Sequence, residues 1–599
     1  MKPKSVAYWM SFLLLSGAGC REVELPVDEA APGFEPVVRA AKAPPIMGGT
    51  MLVTHDGAYA VISDPPRDVI HVVDLRSWKE TGTIVLDDGA LPFRGVEGPD
   101  GEVHITLRGP GSLITIDPAS ASITQNTSVC PNPRGVAFDE TTGDRHVACA
   151  GGILLTLPAS GGAPTRRFIA PDLRDIFVTQ GRLFVTRFRA AQILEVEDDG
   201  SWALAAEPVS LVTGETPREP TTAWRTLPFP AGGWVMLHQT ASMDPVPEFD
   251  EPGPVDDEFD ASGYGGSRGD PCSSVVNPTL SMAYDDGIVR NSGALRGFAL
   301  AVDAALSPDG NYVAVAVPSQ QDASDPEERD ISVFVTRLSM FSASPDQRCR
   351  RPEPLDLDDD IVAVAYQPDG ALLAQARDEP ILYRVAGTKE ERLVLSGPSA
   401  ADTGFELFHN DAGKGVSCAS CHPEGGEDGR TWVFADLGPR RTQALNVGLK
   451  DTEPFHWKGD MDDIHMIARQ VRQGAMGGIE QSEERQEALA EWLFSLRPPN
   501  PIRQGSDGDA TDGAQLFRTL GCASCHAGES FTSPASADLG HGPLQTPALR
   551  GVALRPPYMH DGRATTLEAA ILDMTNSTAP GTELDDTQVA SLVAYLESL

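Results

Sequence analysis

Two copies of one five-residue string carry the most specific chemistry in this sequence: Cys418-Ala419-Ser420-Cys421-His422 and Cys522-Ala523-Ser524-Cys525-His526. In each, two thiols three residues apart can bond the vinyl groups of a single porphyrin, and the histidine that follows can ligate its iron. A bare C-x-x-C also serves thiol redox and zinc chemistry. The histidine directly after it, in both copies, favours covalent haem c, two per chain. These motifs use four of the nine cysteines. Cys20 closes an N-terminal apolar run. The rest, Cys130, Cys149, Cys272 and Cys349, are even in number and would pair in an oxidising compartment. Pairing by neighbourhood gives Cys130–Cys149 and Cys272–Cys349, one of three possible connectivities.

The elements around each motif repeat one plan. A short amphipathic helix leads in, through Gly404-Phe405-Glu406-Leu407-Phe408 and through Gly513-Ala514-Gln515-Leu516-Phe517. A helix with apolar residues at i, i+3, i+4 and i+7 closes each unit: Leu489, Trp492, Leu493 and Leu496, then Val589, Leu592, Val593 and Leu596. The Asp585-Asp586 pair supplies an N-cap for the second. First and last helices crossing beside the haem is the class I cytochrome c arrangement. Residues 498–513, rich in Pro, Gly and Asp, read as the linker.

The strings between these helices resemble the bacterial di-haem cytochrome c peroxidases, and the similar enzymes that complete the tryptophylquinone of methylamine dehydrogenase. In the second unit they are Thr546-Pro547-Ala548-Leu549-Arg550, Pro557-Tyr558-Met559-His560-Asp561-Gly562 and Thr566-Leu567-Glu568-Ala569-Ala570. In the first they are Gly438-Pro439-Arg440, Pro454-Phe455-His456-Trp457-Lys458-Gly459 and Ala475-Met476-Gly477-Gly478. The resemblance implies haem iron held by His422 and His526. It places the axial methionine of haem two at Met574, with Met559 the local rival, and makes that haem the electron entry site. In the first unit the family's distal histidine has no counterpart, and Ala475 stands where the family has its acid–base glutamate. Met476 is then available as sixth ligand of haem one. His456 is a rival ligand or distal base, and Glu480 a substitute acid. The family's interdomain calcium is in doubt, because Arg441 stands where an asparagine is usual.

Residues 45–395 have a different texture. A turn followed by alternating strands recurs, most clearly after Thr54-His55-Asp56-Gly57, Ser307-Pro308-Asp309-Gly310 and Gln367-Pro368-Asp369-Gly370. Weaker copies fall at 100–116, 134–156, 175–196 and 222–240. Seven units at a period of about 40–50 residues predict a seven-bladed β-propeller, similar to the YVTN-type bacterial surface propellers. Its histidines, His55, His71, His104, His146 and His238, are scattered and form no catalytic constellation. The propeller is expected to serve as a docking module or scaffold.

The formal charge of −39 argues against nucleic acid and favours basic protein partners. Much of it lies in 244–270, read as a long acidic loop tethered by Cys272. At the N-terminus, Lys2 and Lys4 precede an apolar run from Ser5 to Leu15, then Ser16-Gly17-Ala18-Gly19-Cys20. This reads as a bacterial export signal resembling a lipobox, too short to span a bilayer. Cys20 is then expected to be the lipid-anchored first residue of a periplasmic or cell-surface protein.

The expected architecture is multidomain: signal 1–20, an all-β seven-bladed propeller at 40–398, and an all-α di-haem module of two class I-like lobes at 400–498 and 510–599. The expected activity is that of a peroxidase-like oxidoreductase, electrons passing from haem two to haem one. Its partners would be a small redox protein and hydrogen peroxide. A pure electron carrier and a di-haem protein-modifying enzyme are the alternatives.

Overall fold

The computed structural model describes residues 35–39, 43–197, 199–247, 264, 272, 274–318, 331–347, 349–355, 357, 359–435, 437–502 and 508–599. Cys20 and most of the acidic loop at 244–270 lie outside the described residues.

Seven antiparallel sheets follow one another along the chain. Their innermost strands are Met51–Val53, Pro92–Glu97, Pro133–Phe138, Leu173–Thr179, Thr216–Pro228, Asp303–Leu306 and Ile361–Tyr366, and neighbours in this series pack side by side around a ring. The seven-bladed propeller is therefore present, one blade per predicted unit. In blades one to four and seven the outermost strand is the most exposed. In the second blade Val103–Leu107 is buried throughout, whereas the outer strand Ser122–Ser128, with polar residues on both faces, is almost wholly exposed. Blades one and seven are each contiguous in sequence, so no shared strand closes the ring. Side chains do so instead. The Gln375 amide donates to Ser63 O (3.0 Å) and accepts from the Thr50 hydroxyl (2.7 Å), while Arg67 donates to the carbonyls of Pro398, Arg377 and Asp378.

Both neighbourhood disulfides form, Cys130–Cys149 and Cys272–Cys349. Closing loops of 19 and 77 residues stabilises the fold by roughly 3 and 4–5 kcal/mol in the chain-entropy account. The second bridge ties blade five to the segment Asp346–Gln347, which adds a parallel strand to that blade's far edge.

After Asp402 the chain turns helical. The Asp402 side chain accepts from Phe405 N–H and starts α1, Thr403–His409. Then come α2 (Cys418–Cys421), α3 (Ile464–Ile467) running into a π-helical stretch at Ala468–Ala475, and α4 (Glu483–Phe494). The second unit holds α5 (Ala510–Thr519), α6 (Leu567–Thr578) and α7 (Asp586–Glu597). In each unit the first helix crosses the last at a glycine. A Cβ on Gly404 would lie 2.1 Å from Ala488 O, and one on Gly513 would lie 1.9 Å from Ser591 O. Only glycine permits these crossings.

The region is not all-α. Two short hairpins interrupt it, Thr431–Phe434 with Gly438–Arg441 and Ser536–Asp538 with Pro543–Gln545. The first exists partly because the propeller completes it: Val246 N–H donates to Val433 O (2.7 Å) and Ala435 N–H to Val246 O (2.9 Å). Those partners are remote in sequence, so local pattern does not announce the strand. Among the described residues no helix is long and apolar enough to cross a membrane.

Candidate haem sites

Each proximal histidine is oriented by a carbonyl. His422 Nδ1 lies 3.1 Å from Gly426 O, and His526 Nδ1 lies 3.1 Å from Phe531 O. A carbonyl only accepts, so Nδ1 carries the proton in both rings, leaving the Nε2 lone pair for a metal. Burial pushes the His422 imidazole down to about 4 and lowers His526 as well, which keeps both neutral, as ligation requires. Cys418, Cys421, Cys522 and Cys525 are thiols, whereas the other described cysteines are bridged. Two thiols three residues apart, beside a histidine with a fixed tautomer, fit a haem c attachment site.

Met476 is buried in one apolar cluster with Ala475, Trp432 and Val416, against which Cys418 and Cys421 also pack. The π-helical stretch ends at Ala475 and delivers Met476 there, its N–H bonded to Val471 O at 2.9 Å. The acid–base candidates do not join that cluster. The His456 side chain is 43% exposed and stands 3.6 Å from Asp460. Glu480 lies exposed on the loop before α4. In the second unit, Met559 packs against the core that holds Cys522, with Leu567, Ile571 and Leu592. Met574 sits half-buried on the third turn of α6, outside that core.

The first pocket has a wall the sequence did not reveal. Val246, Val275 and Val276 of blade five belong to the cluster of Met476, and Tyr264 packs on it with its N–H donating to Ala475 O (3.0 Å). Burial, reinforced by the two thiols, raises the Tyr264 hydroxyl. A second contact was equally unforeseen. The Glu424 carboxylate, two residues after His422, meets Arg174 (2.6 Å), Arg108 (2.9 Å) and Arg134 (3.3 Å) of the propeller. Burial alone would raise this carboxyl; the three guanidiniums outweigh it and hold it well below the usual carboxylate range. A lone acid after a haem motif and single arginines in three blades leave no periodic signal.

Between the two units, Trp457 donates through Nε1 to Arg441 O (2.6 Å) and meets the His560 ring edge-on at 6.2 Å. Arg441 N–H donates to His560 O (2.7 Å), and its guanidinium pairs with Glu427 at 2.5 Å. Glu427 also holds Arg189, whose remaining donors reach Asp172 and Leu554 O. Burial and neighbouring cations push Arg441 and Arg555 down to about 9. This junction already contains guanidinium charge, and its residues do not fit a calcium ion.

Comparison with known proteins agrees with this geometry. Residues 510–599 match the Cytochrome c family. Cytochrome c peroxidase Ccp of Escherichia coli (strain K12) is 27% identical over 266 residues, covering 33% of this chain and 57% of that protein. Cytochrome c551 peroxidase of Nitrosomonas europaea is 29% identical over 114 residues, covering 15% of this chain and 34% of that one. The chain thus spans about half the length, or less, of the curated relatives it matches. Among solved structures, Kuenenia stuttgartiensis hydrazine synthase is 13% identical with a TM-score of 0.40, covering 60% of this chain and 98% of that one, a likeness too weak to bear on function. The chain is a seven-bladed propeller joined to a C-terminal domain that matches the Cytochrome c family. Its C-terminal part is homologous to the bacterial cytochrome c peroxidases, distantly and over part of their length.

Proposed function

We propose that the chain is an exported di-haem c-type oxidoreductase of peroxidase type, its C-terminal part forming two class I-like lobes that each carry one haem. His422 and His526 serve as proximal ligands, Met476 and Met574 as sixth ligands. Bound at these sites, haem supplies two one-electron couples, the second accepting electrons from a small, basic redox protein and the first passing them toward peroxide. Trp457, in contact with His560 and bonded to Arg441, lies on the line between the lobes. The propeller acts as scaffold.

The observation that carries the electron-transfer part of this reading is the burial of Met476 in the cluster on which Cys418 and Cys421 pack. A thioether there closes the position a peroxide would take. The acid–base groups expected from the sequence, His456 and Glu480, stand outside this cluster with exposed side chains, so neither is an enclosed proton donor for O–O cleavage. Peroxide turnover is therefore slow, and electron transfer dominates. The two disulfides support an oxidising compartment, in keeping with an envelope location and an anchor at Cys20.

The test is a pyridine haemochrome assay with peroxide kinetics on the purified protein. Two covalent haems, low-spin spectra and weak turnover are expected. A high-spin haem with rapid turnover in the unmutated protein would remove Met476 from the iron and restore His456 or Glu480 as the acid–base group.

A further inference from the structure

We propose that the propeller sets the position of the proximal ligand of the first haem: Arg108, Arg134 and Arg174 hold Glu424, and through it the loop that aims His422. This rests on the assignment of a haem to Cys418 and Cys421 made above.

The loop from His422 to Gly426 is a closed unit. His422 Nδ1 donates to Gly426 O (3.1 Å), Gly425 N–H to His422 O (3.0 Å) and Gly426 N–H to Pro423 O (3.0 Å). Glu424 is its apex. It takes φ of +55° without being glycine, a conformation an L-residue holds at a cost and keeps only when its surroundings impose it. The surroundings here are the propeller. Arg174 is the second residue of the inner strand of blade four and Arg134 of that of blade three, while Arg108 follows the second strand of blade two. Each cation is itself fixed. Arg174 donates to Trp224 O and Met47 O and lies 3.9 Å from the centre of the Phe188 ring. Arg134 also pairs with Asp172 at 2.5 Å. Nothing in the loop can therefore turn without breaking several charge-assisted bonds in a dry setting.

The second motif is a built-in control. Its loop continues Ala527-Gly528-Glu529, all three exposed, and its histidine is oriented by Phe531 O within the same unit. The propeller grips one proximal histidine and leaves the other alone.

The test compares E424Q and R108Q in the full-length holoprotein, reading midpoint potentials and low-spin EPR lines for both haems. E424Q removes a negative charge beside haem one and should raise its potential; R108Q removes a positive charge and should lower it. Both should broaden the haem-one lines, because His422 then samples several orientations. The E424Q/R108Q double variant should return toward the wild-type potential while keeping the broadened lines. Haem two should not move in any of them. A lowered melting temperature with unchanged haem-one potential and lines would reduce Glu424 to packing and overturn the proposal, as would equal shifts in both haems. A wild-type chain with no porphyrin on Cys418 and Cys421 would overturn the haem assignment and this proposal together. A chain that carries it, with unaltered variants, would overturn the proposal alone.

Discussion

The two C-x-x-C-H motifs are identical in all five residues, yet their pockets are assembled differently. Around Cys522 the packing core draws almost wholly on the second unit, from Leu516 and Phe517 to Leu599. Around Cys418 and Cys421 it comes from two domains, blade five supplying Val246, Val275 and Val276. Ser274 donates to the carbonyls of Lys414 and Gly415, and Arg430 reaches Glu219 and Ser242 O. A self-contained pocket can be built from local sequence and matched to a family over its whole length, as 510–599 is. A shared pocket needs its propeller. The same motif thus sits once in an autonomous environment and once in an environment that belongs to the propeller as well.

The largest test of that difference removes the thiols. Cys522→Ala with Cys525→Ala should cost one porphyrin mass and leave the propeller's unfolding transition unchanged in calorimetry. Cys418→Ala with Cys421→Ala should cost the other porphyrin and also lower the propeller transition, because the emptied cluster includes blade-five valines. Equal effects on the propeller from both pairs would refute the distinction.

Alanine at the helix crossings probes the same asymmetry through packing. At Gly404 and Gly513 a methyl would meet carbonyl oxygens at 2.1 and 1.9 Å. Overpacking of this kind costs roughly 2–3 kcal/mol, offset by about 1 kcal/mol of helix propensity. Gly513→Ala should weaken the second unit alone. Gly404→Ala should weaken the first unit and propeller together, since Phe405 and Phe408 of α1 share a core with Phe298 and Phe334 of the propeller. Two separable transitions that respond in the same way would sink the idea.

Ligand exchange sharpens the comparison at the irons. Met476→Ala should open haem one, give a high-spin signal and increase cyanide or peroxide reactivity. Met574→His should keep haem two six-coordinate and lower its potential, since imidazole favours the ferric state over a thioether. Met559 packs against the core that holds Cys522, so Met559→Ala is the necessary companion. Loss of the methionine–iron band only in that variant would move the ligand from Met574 to Met559.

Seven blades were legible because each repeats a turn and two alternating strands, and such local periods need no tertiary information. Both helix crossings were legible for a related reason: apolar spacing along the first and last helices is a short-range signal. The disulfide pairing by neighbourhood also held. What stayed hidden is all long-range. Val275 and Met476 lie about 200 residues apart in the chain yet share one cluster, and the hairpin at Thr431 leans on Val246. Glu424, Arg108, Arg134 and Arg174 are far apart in the chain and share no sequence pattern; only the fold brings their charges together.

A further test of the propeller uses acid. In the propeller, burial pushes His104 and His238 down to about 4, and in α1 it pushes His409 down to about 3. His238 is the cleanest case: 1% exposed, with Nδ1–H donating to Gln239 O and Nε2 accepting from the Ser281 hydroxyl, both at 2.8 Å. Unfolded, it takes its proton near 6.5; folded, near 4. Between those values the unfolded chain holds more protons, so stability is full above about 6.5 and declines as pH falls toward 4, by at most about 3 kcal/mol for this one group. His71 works against the trend, because its bonds to Asp64 and Glu80 outweigh burial and raise it. Its contribution is greatest in acid and fades as pH rises. The urea midpoint of the propeller should therefore drop between pH 6.5 and 4, and His238→Gln, though less stable overall, should show a shallower drop. Parallel declines in the two proteins would show that His238 takes no part in the acid response.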